Sequence, residues 1–178
     1  MFIKVLHKLA ASSCLVAGIS LVGSVLPQTS FAQTNAGFIL WGNTKDNALD
    51  YCLDQGSADR YDRYYLEVKS QKFKVSEVIL TYPEHYTGVF DQSGIELRLS
   101  SDCRSGKSIP LESATWDKEN RRIVVVPKEA VPANTPMRLV LSNVRNPYFG
   151  GMFQLDARVM RADVPVPVYV GSWIIGID

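Results

Sequence analysis

Ile95-Glu96-Leu97-Arg98-Leu99-Ser100 is the stretch that settles the fold class. Its odd positions are apolar and its even positions polar, the period-2 pattern of a strand with one face buried. Gln92-Ser93-Gly94 opens it with a turn signal. Working outward, similar short runs recur with punctuation at their ends. Val78-Ile79-Leu80-Thr81-Tyr82 stops at Pro83, and Arg121-Arg122-Ile123-Val124-Val125-Val126 stops at Pro127, because proline cannot donate to a ladder. Met137 to Leu141 follows the Pro132 to Pro136 punctuation, and Phe153 to Val159 alternates again. Tyr64 to Val68, Val168 to Ile177 and a shorter Phe38 to Trp41 run complete the set. No long helices interleave with these runs, which argues against a parallel sheet. Alternating faces imply antiparallel sheets, each with one face packed and one wet. The expectation is an all-β protein: an antiparallel Greek-key (immunoglobulin-like) β-sandwich of about eight strands.

One helix is predicted near residues 45–54. Thr44 could cap it and Gly56 could end it. Ala48, Leu49, Cys52 and Leu53 would form its apolar stripe, with Asp46, Asp50 and Asp54 on the other side. Those acids lack the loop grammar of a calcium-binding EF-hand and read as a solvated face.

The first 32 residues read as an address. Lys4, His7 and Lys8 precede an uncharged apolar run from Leu9 to Leu26, and Ser30-Phe31-Ala32 puts small residues before Gln33. That is the three-part layout of a secretory signal peptide. A membrane anchor is the competing reading of a run this long, and Cys14 sits too early in it for a lipoprotein signal. With cleavage, residues 33–178 form a single domain and no stable membrane span is left. Removing 32 of 178 residues leaves 146, and losing Lys4 and Lys8 takes the net charge from +1 to −1. A near-neutral chain carries no electrostatic footprint for nucleic acid. Of the three cysteines, Cys52 and Cys103 remain, and in an exported chain they allow one intramolecular disulfide.

The catalytic signals are thin. His85, beside Glu84 in Tyr82-Pro83-Glu84-His85-Tyr86, could be an oriented general base. The chain has no G-x-S-x-G nucleophile motif. One His and two paired cysteines are too few for a zinc or copper site, so neither metal nor cofactor is expected. The cluster Arg60-Tyr61-Asp62-Arg63-Tyr64-Tyr65 is more suggestive. Tyrosine rings stack on sugars and arginine forks bind carboxylates, which fits an acidic polysaccharide. The same residue types build protein contacts. They could equally be core tyrosines (Tyr65, Tyr61) with both arginines at a sheet rim. In Asn143-Val144-Arg145-Asn146-Pro147-Tyr148-Phe149-Gly150-Gly151, Tyr148 and Phe149 would be binding anchors if they point outward, and plugs of the core if they do not. Arg60, Tyr61, Arg63, Tyr64, Tyr148 and Phe149 are thus the candidate binding residues.

Several stretches together resemble the cyanobacterial domain-of-unknown-function family 2808. They are Tyr65-Leu66-Glu67-Val68, Val78-Ile79-Leu80-Thr81-Tyr82-Pro83, Gly88, Ile95-Glu96-Leu97, Val144 with Asn146-Pro147, Gly150-Gly151-Met152-Phe153 and Tyr169-Val170-Gly171-Ser172-Trp173. The resemblance implies a secreted, periplasmic or lumenal protein, and it carries no activity, cofactor or catalytic residue. The reading from residues is an exported, non-catalytic binding module of the cell envelope whose partner is a protein or polysaccharide. One rival is a structural or assembly factor for a membrane complex in the periplasm or thylakoid lumen, using the Trp173 to Ile177 strand as an edge open to strand addition. The other is a hydrolase built on His85.

Overall fold

Ten strands follow one another with a single 3-10 turn (Gln92–Gly94) among the described elements. The computed structural model describes residues 47–100 and 102–178. The expected signal peptide, Cys14 and the Phe38 to Trp41 run lie outside them. The strands are β1 (Tyr51–Leu53), β2 (Tyr61–Val68), β3 (Val75–Thr81), β4 (Ile95–Leu99), β5 (Lys107–Ile109), β6 (Leu111–Asp117), β7 (Arg122–Pro127), β8 (Met137–Arg145), β9 (Gly151–Arg161) and β10 (Pro167–Ile177). They form two five-stranded antiparallel sheets, ordered β1-β2-β8-β4-β5 and β10-β9-β3-β7-β6.

The orders β1-β2-β8-β4 and β10-β9-β3 are those of strands A-B-E-D and G-F-C in an immunoglobulin-type Greek key. The expected sandwich is therefore present, with more strands than the sequence suggested. Strands β1, β5 and β6 are the additions. The helix expected near residues 45–54 is not formed from Ala48 onward. Ala48 bridges Ser172 in parallel, and Tyr51–Leu53 pairs with Leu66–Tyr64. The stretch has a second pattern, Leu49-Tyr51-Leu53 at spacing 2. Leu49 is buried and the other two pack against the core, so pairing with β2 overrides the helical stripe.

The sheets meet through alternating residues. Leu66, Leu139 and Leu97 share a register row in one sheet, fully buried to within a percent. Leu80, Leu155, Ala157, Val159 and Ile175 face them from the other sheet, all with no exposed surface. Trp173, equally buried, donates its indole N–H to the Glu67 carbonyl at 2.8 Å, tying β10 to β2 across the core. One end of the sandwich is closed by aromatic rings. Tyr82, Tyr86 and Phe90 contact one another at 5.3–5.6 Å between centroids, and Phe90 meets Trp116 edge to face. Offset and edge-on pairs of this kind add stability beyond their buried area.

The C-terminal strand is an end strand of its sheet, with part of its edge covered. The Leu49 amide donates to Ser172, the Gly176 amide to the Tyr51 hydroxyl, and Asp178 exchanges bonds with Gly56 and Ala58. Residues 47–58 thus run along part of β10 and bond the Ser172 carbonyl and the Gly176 amide on its outer edge.

Candidate binding face

Strand β2 starts with the Arg/Tyr cluster, and pleating sorts its members to opposite sides. Tyr64 has no exposed surface. Its hydroxyl donates to Asn146 Oδ1 at 2.5 Å and lies 3.1 Å from the Tyr86 hydroxyl. Burial pushes the Tyr64 hydroxyl well above the usual phenol range, and Tyr86 further still. Tyr64 is thus a core residue and cannot meet a ligand, a correction to its place among the candidates. The physical reason is the alternation itself, which puts Tyr64 with Leu66 and Val68 on the packed face.

Asp62 is also buried. Its carboxylate accepts from the backbone amides of Asp54, Gln55, Gly56 and Arg63 at 2.7–3.0 Å, and from the Asn146 amide at 3.2 Å. This cradle folds the β1–β2 loop over the strand end. Sequence reading passed over Asp62 and Asn146 as site-building residues. The signal available was an aspartate among tyrosines on a core-facing position.

The outward residues are Arg60, Tyr61 and Arg63, all exposed, with Tyr61 at 68%. Tyr61 pairs with Arg145 of β8, and the register shifts between Asp62 and Tyr64. On the facing strand Asn143 adopts φ 55° within this irregular stretch. The irregularity turns the Asn143 side chain to Asp91, where its amide donates at 3.1 Å. Bonds from Ser93 first, and then from Asn143, hold the Asp91 carboxyl below the usual carboxylate range. Arg145 is bound through Nε and Nη2 to one oxygen of Asp59, at 3.0 and 2.8 Å.

These residues enclose a cleft of about 690 Å³ lined by Tyr61, Val89, Phe90, Asp91, Gln92, Asn143 and Arg145. A smaller recess of about 220 Å³ adjoins it on the other side of Tyr61 and Asn143, lined also by Asp54, Gln55, Asp62 and Arg63. Together they make an open groove on the outer face of the β1-β2-β8-β4-β5 sheet, with an exposed aromatic ring between planar amide and carboxylate groups.

Tyr148 and Phe149 lie on the β8–β9 loop next to this groove. The loop is joined to the β1–β2 loop by the Asn146 amide on the Arg60 carbonyl and the Asp59 amide on the Pro147 carbonyl. Both side chains point outward, 67% and 77% exposed, and they contact each other edge to face at 4.9 Å. They do not plug the core; Phe153 and the aromatic cap do that. Met152, 73% exposed, extends the tip and was not foreseen.

The chemical candidates find less support. His85 is exposed, its ring stacked on Phe153 at 5.8 Å, and Glu84 is exposed beside it. Among the described residues no three metal-ligating side chains gather, and no helix is long and apolar enough to cross a membrane. Cys52 and Cys103 are joined as a disulfide, with Cα atoms 6.2 Å apart.

Residues 38–177 match the family described as protein of unknown function (DUF2808), and the chain belongs to that family. No curated protein matches the chain. Among solved structures, it is similar to an uncharacterized immunoglobulin-like protein from Nocardia farcinica, at 11% identity and TM-score 0.45, covering 73% of this chain and 97% of that one. It is similar to the bacterial hydrophobin BslA at 11% identity and TM-score 0.48, covering 77% and 97%. It is also similar to the collagen-binding domain of a Staphylococcus aureus adhesin at 9% identity and TM-score 0.39, covering 72% and 95%.

Proposed function

We propose that this chain is an exported, non-catalytic binding module of a cyanobacterial envelope, and that the groove around Tyr61 takes a polysaccharide chain. One observation carries the reading. Tyr61 is a 68% exposed aromatic ring standing between two recesses, with Asn143, Gln92 and Asp91 at its sides. A sugar ring presents an apolar face for stacking and edge hydroxyls for amides and carboxylates, and this groove offers both. Its charges are close to balanced, since Arg145 pairs with Asp59 and Arg104 with Asp54. That balance favours a neutral glycan over the strongly acidic one suggested by arginine content alone. Export is supported by the signal-peptide pattern of residues 1–32 and by the Cys52–Cys103 disulfide, which persists in oxidising compartments.

The test is affinity electrophoresis or calorimetry of the mature chain against neutral and acidic envelope glycans. Tyr61→Ala is expected to weaken binding by about 1–3 kcal/mol, the worth of one aromatic stacking contact by analogy with base stacking. Phe149→Ser is expected to leave it unchanged. Equal binding by Tyr61→Ala and the parent would sink the groove reading.

A second reading has its own observation, the Tyr148–Phe149–Met152 tip. Exposed aromatic and methionine side chains of this size suit a protein contact, as an assembly factor for a membrane complex would need. Cross-linking in the native envelope fraction that Phe149→Ser abolishes would favour this reading over the glycan. Hydrolysis through His85 requires turnover of ester, peptide or glycan panels that His85→Ala removes.

A further inference from the structure

The cleft at Tyr61 is built on one row of the sheet. Tyr61 of β2 pairs with Arg145 of β8, and Arg145 pairs in turn with Val89. Val89 exchanges both backbone bonds with Arg145 at 2.9 Å. Paired residues of an antiparallel sheet point to the same side. The phenol ring, the guanidinium and the isopropyl group therefore stand in line on the outer face. Two strand spacings, about 10 Å, separate the first from the last. Tyr61 is 68% exposed and Val89 43%, so the cleft has an aromatic end and an aliphatic end.

Its polar walls are two carboxamides, and the partner of each fixes which end is presented. Gln92 accepts the Trp116 backbone amide through Oε1 at 3.3 Å. A backbone N–H only donates, so Nε2, with its two N–H groups, is the end left over. Asn143 donates Nδ2 to Asp91 Oδ2 at 3.1 Å. An ionised carboxylate only accepts, so Oδ1 is the end left over. Among the described residues neither Gln92 Nε2 nor Asn143 Oδ1 has a partner, and both side chains line the cleft. Their places are set by the backbone. The β2–β8 register slip puts Ser142 and Asn143 together opposite Arg63, and Asn143 sits at φ 55°. A Cβ on Gly94 would lie 2.7 Å from the Ser142 carbonyl oxygen, so the Gln92–Gly94 turn packs directly on this bulge.

We propose that the cleft takes a glycan of 2-acetamido sugars, with a sugar ring on Tyr61 and its acetamido group between Gln92 and Asn143. This rests on the glycan reading given above and narrows it to one class of sugar. An acetamido group has a donor-only N–H, an acceptor-only carbonyl and a methyl group. The cleft answers each: Gln92 Nε2 for the carbonyl, Asn143 Oδ1 for the N–H and Val89 for the methyl. A hydroxyl donates and accepts alike, so it gains nothing from this fixed polarity, and it leaves Val89 in water. A uronic acid or sulfated sugar is opposed by the Asp91 carboxylate, which lines the same cleft.

Calorimetry of the full chain with three tetrasaccharides tests this. They share one backbone and differ at one substituent: chitotetraose carries acetamido groups, cellotetraose hydroxyls and the chitosan tetramer amines. Chitotetraose is expected to bind at least about tenfold more tightly than cellotetraose, the worth of two ordinary hydrogen bonds. Gln92→Ala is expected to cut that ratio below about threefold, with near-UV circular dichroism unchanged. Asn143→Gly, which keeps the left-handed backbone, is expected to do the same. In saturation-transfer NMR the acetamido methyl protons are expected to be the most strongly saturated of the ligand. Equal binding of chitotetraose and cellotetraose, both weakened by Tyr61→Ala, would overturn the acetamido assignment and leave the groove reading standing. Tighter binding of the amine tetramer would overturn it too, since charge and not the amide would then be recognised. A preference that survives in both variants would place recognition outside this cleft and overturn the site. Binding of none of the three would overturn both readings.

Discussion

Asp62 is the most consequential polar side chain of the binding face, although no ligand would touch most of it. Its carboxylate gathers four backbone amides and the Asn146 side chain. In Asp62→Ala, Asp54 keeps an alternative acceptor in the Arg63 carbonyl at 3.2 Å. Among the described residues Gln55 and Gly56 have no other acceptor, and Asn146 loses one of its two. A half-buried donor left without a partner costs about 1–3 kcal/mol. Two such amides, one of them near water, put the loss at about 2–4 kcal/mol of a total stability that is typically about 5–15 kcal/mol. Asp62→Asn sharpens the reasoning, because it keeps volume and one acceptor. Its amide must turn an N–H toward donors at one oxygen position or the other, so it is expected to lose about half as much. Urea unfolding followed by circular dichroism measures both, with the slope unchanged if the native fold is kept. If both variants unfold within about 0.5 kcal/mol of the parent, the cradle is not what holds the β1–β2 loop.

Three further outcomes follow from the packing. Leu139→Ala, in the middle of the Leu66–Leu139–Leu97 row with no exposed surface, is expected to cost about 2–5 kcal/mol in the same unfolding assay. Gly171 has φ 143°, and a Cβ there would lie 2.5 Å from the Asn47 carbonyl oxygen. Gly171→Ala is therefore expected to push residues 47–49 off β10, speeding exchange of the Leu49 amide at least tenfold by mass spectrometry while Trp173 stays buried. The Asp91 carboxyl sits below its ordinary value of about 3.9. Its link to Ser93 and Asn143 is then fully present above that pH and is lost as pH falls through the lowered value. The Asn143 side-chain amide resonance should titrate with a midpoint below 3.9, and a midpoint above it would refute the contact.

Much of the fold was readable because one rule governs most of it. The runs at 78–82, 95–100, 137–141 and 153–159 alternate or end at proline, and each became a strand close to those bounds. The additions escaped for local reasons. Strand β6, Leu111-Glu112-Ser113-Ala114-Thr115-Trp116-Asp117, is an edge strand whose register slips between Leu111 and Ser113. The slip breaks the alternation that a sequence scan looks for. Strand β5 has three residues, too few for a period to declare itself. The stretch 48–53 satisfies both a helical stripe and a spacing of 2. Only its partner, β2, decides between them, and pairing of this kind is not local information.

The binding face was legible in composition but not in its arrangement. Two arginines and three tyrosines in Arg60–Tyr65 marked the right strand, yet grouping Arg63 with Tyr64 ignored the alternation already assigned to Tyr64–Val68. A strand that buries Leu66 and Val68 must also bury Tyr64, and must turn Tyr61 and Arg63 to the opposite side. Applying period 2 inside the cluster would have found the exposed pair. What no periodicity contains is the burial of Tyr65 on that same outer side. Its register partner Cys52 is bonded to Cys103, 51 residues later. The pairing was foreseen by elimination, but its place on the sheet needed the register, because only the row Cys52–Tyr65–Val140–Glu96 shows which side Cys52 shares. The exposed and buried residues on the outer side of this sheet thus draw on two different kinds of information. Side-chain alternation decides which residues face outward, and strand register decides which of those residues stand side by side.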